Sequence, residues 1–166
     1  MAEWEVATPG PELVRSLAEC HIECWREAYR DLVPAHLLDA FDLDRRAAVW
    51  ERRRAANLDR LKVAVVDGTV IGFAVSGPSQ DDSPVAEHQL NAMYVRAAWY
   101  GTGVAHDLMR AVLPEHADVS LWVFEENPRA RAFYTKYGFE LDGGRRVEAF
   151  TPAIEVRMVR RLSGRR

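Results

Sequence analysis

A chain of 166 residues holds one domain of ordinary size and is too short for two comfortable ones. Apolar residues make up 48% and charged residues 28%, which excludes disordered, collagen-like and membrane-spanning classes. A formal net charge of -3 argues against a dedicated nucleic-acid binder, and by itself names no partner.

Trp4 to Ala7 reads as a short first strand, and Pro9-Gly10-Pro11 then breaks the chain. Pro11 and Glu12 suit the first turn of a helix. Leu13, Leu17, Cys20 and Cys24 recur at helical spacing, with Trp25, Ala28 and Leu32 widening the stripe, so this helix is expected to reach about Arg30. The two cysteines, with His21 beside them, suit a buried stripe better than a disulfide or a metal site. Pro34 opens a short helix through Ala40, and Asp42 starts another that carries Trp50. Arg52, Arg53 and Arg54 fan out around that last segment as a solvated face.

From Leu61 the period changes. Leu61 to Val66, Asp67-Gly68 and Thr69 to Ser76 form a β-hairpin pattern around a two-residue turn. Residues 77–84 are a polar loop, and Glu87 to Val95 is a third long strand. Val104 to Leu113 is helical, Val119 to Phe124 is a strand, and Pro128 to Tyr137 is a helix closed by Gly138. Val147 to Phe150 and Ile154 to Val159 are expected as the last two strands. The expected fold is α/β, a single domain with one mixed central sheet of six to seven strands flanked by helices and partly parallel around the later helices.

Two segments carry chemistry. In the first, a strand ending Met93-Tyr94-Val95 runs into Gly101-Thr102-Gly103 and then directly into a helix, so several amides can point at one spot backed by the helix dipole. A plain tight turn also accounts for two glycines. Position 106 is histidine, so a dinucleotide fingerprint is incomplete, and no Gly-Lys-Ser/Thr loop is present. In the second, Asn127-Pro128 is a helix cap with proline at the first helical position, and Ala130, Phe133 and Tyr137 form an inward stripe. Tyr134 follows Asn127 by about two turns and lies on the same edge of that helix.

These two segments, in this order and separated by one strand, resemble the GNAT superfamily, the Gcn5-related N-acetyltransferases. The resemblance implies an acyl-CoA N-acyltransferase fold and transfer of the acetyl group of acetyl-CoA to a primary amine by direct attack in a ternary complex. It implies that Gly101, Thr102, Gly103, Val104, Ala105 and His106 cradle the coenzyme pyrophosphate and that Met93, Tyr94 and Val95 pair with its pantetheine arm. It also implies that Asn127 contacts that arm and that Tyr134 lies near the sulfur as proton donor to the leaving thiolate. Tyr100 stands where the family usually has Arg or Gln, so either Arg96 or His106 compensates for the lost charge or the affinity for the coenzyme is lower.

On the acceptor side, Glu87 is the candidate base, although a solvated residue at a strand start accounts for it equally. Family placement directs the substrate to Trp25, Tyr29 and Phe150, with Asp31, Leu32 and Glu148 beside them, an aromatic and acidic wall that would suit a cationic amine through ion pairing and cation–π contact. The expected partner is a small-molecule or peptide amine, without metal, membrane or nucleic acid; a homodimer is compatible with the pattern. The N-terminus lacks the basic-then-apolar layout of a signal peptide, so the expected location is cytoplasmic. An acyl-CoA-binding sensor module and a toxin that acetylates aminoacyl-tRNA are the alternative readings.

Overall fold

The computed structural model describes residues 3–57, 59–147 and 151–162. Seven strands, β1 (Glu5–Ala7), β2 (Arg60–Val66), β3 (Thr69–Pro78), β4 (His88–Val95), β5 (Val119–Phe124), β6 (Glu140–Val147) and β7 (Ile154–Arg160), are linked in the order β1-β2-β3-β4-β5-β7-β6. The helices are α1 (Val14–Tyr29), α2 (Ala35–Asp39), α3 (Leu43–Ala56), α4 (Val104–Val112) and α5 (Pro128–Thr135). The chain divides into two compact units, residues 1–76 with 92–113, and residues 77–91 with 114–166. Strand β4 contributes to both.

The first unit is built on the antiparallel β1-β2-β3 meander, with Val6 opposite Ala64 and Val63 opposite Phe73. Its hairpin turns on Asp67 and Gly68 at φ 49° and 78°, the positive pair that a twist-matched two-residue turn requires. Helix α1 buries Leu17, Ala18, Cys20 and Cys24 against Val63, Val70 and Phe73. The two cysteine sulfurs lie 3.8 Å apart as free thiols, which makes them the packing residues expected. Asp42 caps α3 by accepting from the Arg45 amide at 3.0 Å, and Trp50 on that helix is 2% exposed. Arg53 and Arg54 are not the solvated face expected of them. Arg53 pairs with Asp59 and Arg54 with Glu51, at 3.0 and 2.7 Å, leaving Arg52 exposed. Helix α4 buries Val104, Leu108, Met109 and Val112 completely. A side chain at Gly72 would meet the Tyr94 carbonyl at 3.0 Å and Leu108 at 3.2 Å, so glycine here lets β3 lie against β4 and α4 without either giving way.

In the second unit, β4 opens parallel to β5, with His88 opposite Val119 and Gln89 opposite Ser120, while β7 runs antiparallel to both β5 and β6. Asp81 fastens the loop before β4: its carboxylate accepts from Trp122 Nε1 at 2.9 Å, and Arg146 stacks over the same indole at 4.2 Å. The expected strand at Val147 to Phe150 is corrected. Strand β6 begins seven residues earlier, at Glu140, and Val147 is its last residue; residues 148–150 lie outside the described residues. The cause is local: Asp142 accepts from the Gly144 amide at 2.8 Å and from Arg157 Nε at 2.7 Å, which shifts the register between Leu141 and Arg145. Among the described residues no helix is long and apolar enough to cross a membrane.

Candidate active site

The turn into α4 is made by Gly101 and Gly103 at φ 75° and 100°, a region that side chains rarely adopt. The helix ladder starts with the Asp107 amide donating to the Gly103 carbonyl at 3.1 Å, so the amides of Val104, Ala105 and His106 lie ahead of it. Thr102 is turned inward, its hydroxyl donating to the Trp99 carbonyl at 2.6 Å. Trp4 backs the turn: Nε1 donates to Asp107 at 2.8 Å, and its ring would stand 3.8 Å from a side chain at Gly103. No periodicity marks Trp4 for this task. Backbone amides gathered at a helix N-terminus are a fit for a phosphate group.

Arg96 is engaged with another part of the fold. Its guanidinium is held by Glu27 at 2.7 Å, and the second oxygen of Glu27 accepts from the Ala97 amide at 3.2 Å. Glu27 therefore fixes α1 to the end of β4, a role the sequence pattern did not signal. His106 and Tyr100 both remain at the surface of the turn.

Successive side chains of β4 point to opposite faces. Val95 approaches Gly72 on the side where α4 packs. Tyr94 points the other way, to α1, where its hydroxyl shares a 2.9 Å hydrogen bond with Tyr29. Around it lies a cluster of rings: His21 stacks on Tyr94 at 5.7 Å, and Trp25 stands 4.9 Å from Tyr29, 5.8 Å from Phe41 and 6.3 Å from Tyr94. Tyr29 is buried and Trp25 half-buried, so the two substrate candidates are brought together, joined by His21, Phe41 and Tyr94. Trp50 Nε1 donates to His21 Nδ1 at 3.1 Å. Burial, and then the nearby charges of Arg46 and Arg53, hold His21 down to about 3, so it is a neutral imidazole at physiological pH. Phe150, the third substrate candidate, lies outside the described residues.

In the second unit Asn127 Oδ1 accepts from the Ala130 amide at 3.3 Å, the cap expected for α5. Past α5 the chain closes at Gly138, and the Phe139 amide returns to the Tyr134 carbonyl at 3.3 Å with Phe139 fully buried. Tyr134 packs against Phe133 and Phe139 at 5.7 and 6.1 Å. Burial pushes its phenol up to about 12, so it keeps its proton throughout the working range. Glu125 is spoken for by Arg145, in a two-pronged pair of 2.6 and 3.0 Å. Glu87 is exposed immediately before β4, and Gln89 is committed to the loop, accepting from the Gln80 amide at 2.8 Å.

A parallel step from β4 through a glycine turn and α4 to β5, inside a sheet of this order, defines the class of acyl-CoA N-acyltransferase folds. Residues 12–139 match the model of the acetyltransferase (GNAT) family, and the chain belongs to that family. It is 30% identical over 134 residues to a Mycobacterium tuberculosis protein named "Probable N-acetyltransferase Rv2775", across 76% of this chain and 74% of that one. It is 33% identical over 105 residues to the L-amino acid N-acetyltransferase AaaT of Escherichia coli, across 57% and 62%. Among solved structures, YncA from Salmonella typhimurium with its cofactor acetyl-CoA superposes with a TM-score of 0.71 at 15% identity, across 99% of this chain and 97% of that one, a likeness of fold.

Proposed function

We propose that the protein transfers the acetyl group of acetyl-CoA to a primary amine by direct attack in a ternary complex. The observation that carries this reading is the turn of Gly101 to His106, whose amides precede the ladder of α4 and whose backbone only glycine adopts easily at two positions. Gly101 to His106 would hold the pyrophosphate, Met93, Tyr94 and Val95 the pantetheine arm, and Asn127 its amides. When bound, acetyl-CoA supplies an acyl carbon whose C–S bond breaks as the amine nitrogen forms the new N–C bond, with the electron pair leaving on sulfur. A backbone amide at the end of β4 donates to the acyl oxygen as it gains charge. The Tyr134 hydroxyl gives its proton to the departing sulfur, and Glu87, through water, receives the proton that the amine loses.

Calorimetry with acetyl-CoA, followed by thiol release over a panel of amines, tests this. Saturable binding below millimolar concentration and amine-dependent release of free thiol are expected; absence of coenzyme binding ends the reading. Gly103→Ala sharpens the test. A side chain at φ 100° strains the turn by about 1–2 kcal/mol and tilts the amides, so acetyl-CoA affinity is expected to fall about tenfold or more. Gly68→Ala, equally strained but in the hairpin, should lower stability and leave that affinity alone.

A further inference from the structure

The turn from Gly101 to Gly103 does not hold its own shape by packing: two of its residues are glycine, and a side chain at Gly101 would meet nothing within 4 Å. It is held from outside. On the far side Trp4 stands against Gly103 and binds Asp107. On the near side the chain leaves β4 through a single tight turn, Ala97–Trp99. There the Trp99 amide donates to the Arg96 carbonyl at 2.9 Å and the Tyr100 amide to the Ala97 carbonyl at 3.1 Å. The Trp99 carbonyl then takes both the amide and the hydroxyl of Thr102, at 3.4 and 2.6 Å. The position of Ala97 therefore sets the position of Thr102 and of the glycines on either side of it.

The Ala97 amide opens this tight turn and has no partner within it. The capping position belongs to Arg96, whose side chain donates and cannot accept. Glu27 supplies the acceptor from 70 residues away. Its Oε2 accepts from the Ala97 amide at 3.2 Å and its Oε1 from Arg96 Nε at 2.7 Å, so the carboxylate has one orientation. The Arg96 amide is tied in turn to the Ile71 carbonyl of β3 at 2.9 Å. Two residues further along α1, Tyr29 shares its hydroxyl with Tyr94. The last turn of α1 thus grips the chain on both sides of Val95.

We propose that Glu27 is a positioning residue for coenzyme binding. It fixes the Ala97 amide and, through the Ala97–Trp99 turn and Thr102, the aim of the Val104, Ala105 and His106 amides at the pyrophosphate. The role rests on the transferase reading for the identity of the ligand. Glu27 touches no reacting atom, so its loss loosens the hold on the phosphates and leaves the thioester chemistry as it was.

Calorimetry with acetyl-CoA and thiol-release kinetics on the full chain test it. Glu27→Leu keeps neither hydrogen bond and is expected to weaken acetyl-CoA binding about tenfold or more. KM for acetyl-CoA should rise by the same factor while kcat stays within about twofold. Glu27→Gln and Arg96→Met each keep one of the two contacts and are expected to fall between Glu27→Leu and wild type, a graded rescue that general damage to the fold would not give. S-acetylpantetheine, a donor without any phosphate, should be used by wild type and variants at the same rate. Unchanged acetyl-CoA affinity in the Glu27 variants, a loss of kcat at constant KM, or an equal slowing of the truncated donor overturns the role. Glu27→Gln, of the same size as glutamate, decides the matter if Glu27→Leu does not fold. A wild type that binds no acetyl-CoA would overturn the transferase reading and this role with it; a wild type that binds it no better than the variants would overturn this role alone.

Discussion

Tyr134→Phe is expected to slow acetyl transfer by about a hundredfold or more while changing acetyl-CoA affinity by less than about twofold. The substitution removes one hydroxyl and keeps the ring packed against Phe133 and Phe139, so the helix cap and the buried Phe139 beneath it stay in place. On the mechanism proposed above, only the proton for the departing sulfur is lost. The pH profile provides a second reading of the same group. A phenol held near 12 is still protonated where an ordinary tyrosine, near 10, has half ionised. The wild-type rate should therefore rise as the acceptor amine loses its proton and then stay level through pH 10. A falling limb centred near 10, or a Phe variant at full turnover, would remove Tyr134 from the chemistry.

Trp50→Ala is the largest expected loss of stability, about 3–5 kcal/mol, or roughly 6 to 20 °C in the melting temperature of a domain this size. The indole is 2% exposed and packs on Phe73 at 5.3 Å, so its removal opens a void in the first unit and leaves His21 Nδ1 without its donor. His21 also sets an acid limb. Its pKa is about 3 when folded against 6.5 as a free group, so the unfolded chain binds the extra proton between those values. Folding stability must then fall as pH drops from 6.5 toward 3, by up to roughly 1.4 kcal/mol per pH unit from this residue. Urea unfolding at pH 7.5 and 5 checks both statements. His21→Gln should flatten the difference between the two pH values relative to wild type, and an unchanged difference would mean that the carboxylates alone cause it.

The parts of this fold that are legible in the sequence are those set by local chemistry. Asp67-Gly68 announces its hairpin because both turn residues need positive φ, and Asn127-Pro128 announces α5 because cap and first turn are neighbours in the chain. Strand β6 does not announce itself. Glu140 to Val147 is exposed along almost its whole length, so no core imposes alternation on it, and its pairing with β7 is held by Asp142 reaching across to Arg157. The candidate site divides in the same way. The glycine turn and Tyr134 stand out as motifs. Glu27 and Trp4 act through partners 69 and 103 residues away, and no spacing rule links Trp4 to Asp107 or Glu27 to Arg96. Trp25 and Tyr29 are recognisable as candidates, yet the rings that complete their cluster come from α1, the segment after α2 and β4.

The irregular course of β6 bears on how copies of the protein behave in company. A straight, apolar border strand invites a second chain to hydrogen-bond alongside it, and that route leads to aggregation. Here the border is bent at Gly143, its register slips between Leu141 and Arg145, and it carries Asp142, Arg145 and Arg146. The opposite border, β1, is three residues long. Neither offers a template on which sheets could grow from molecule to molecule. Two copies that associate are expected to do so through their side chains rather than by extending the sheet, a property set by a strand that the sequence barely declares.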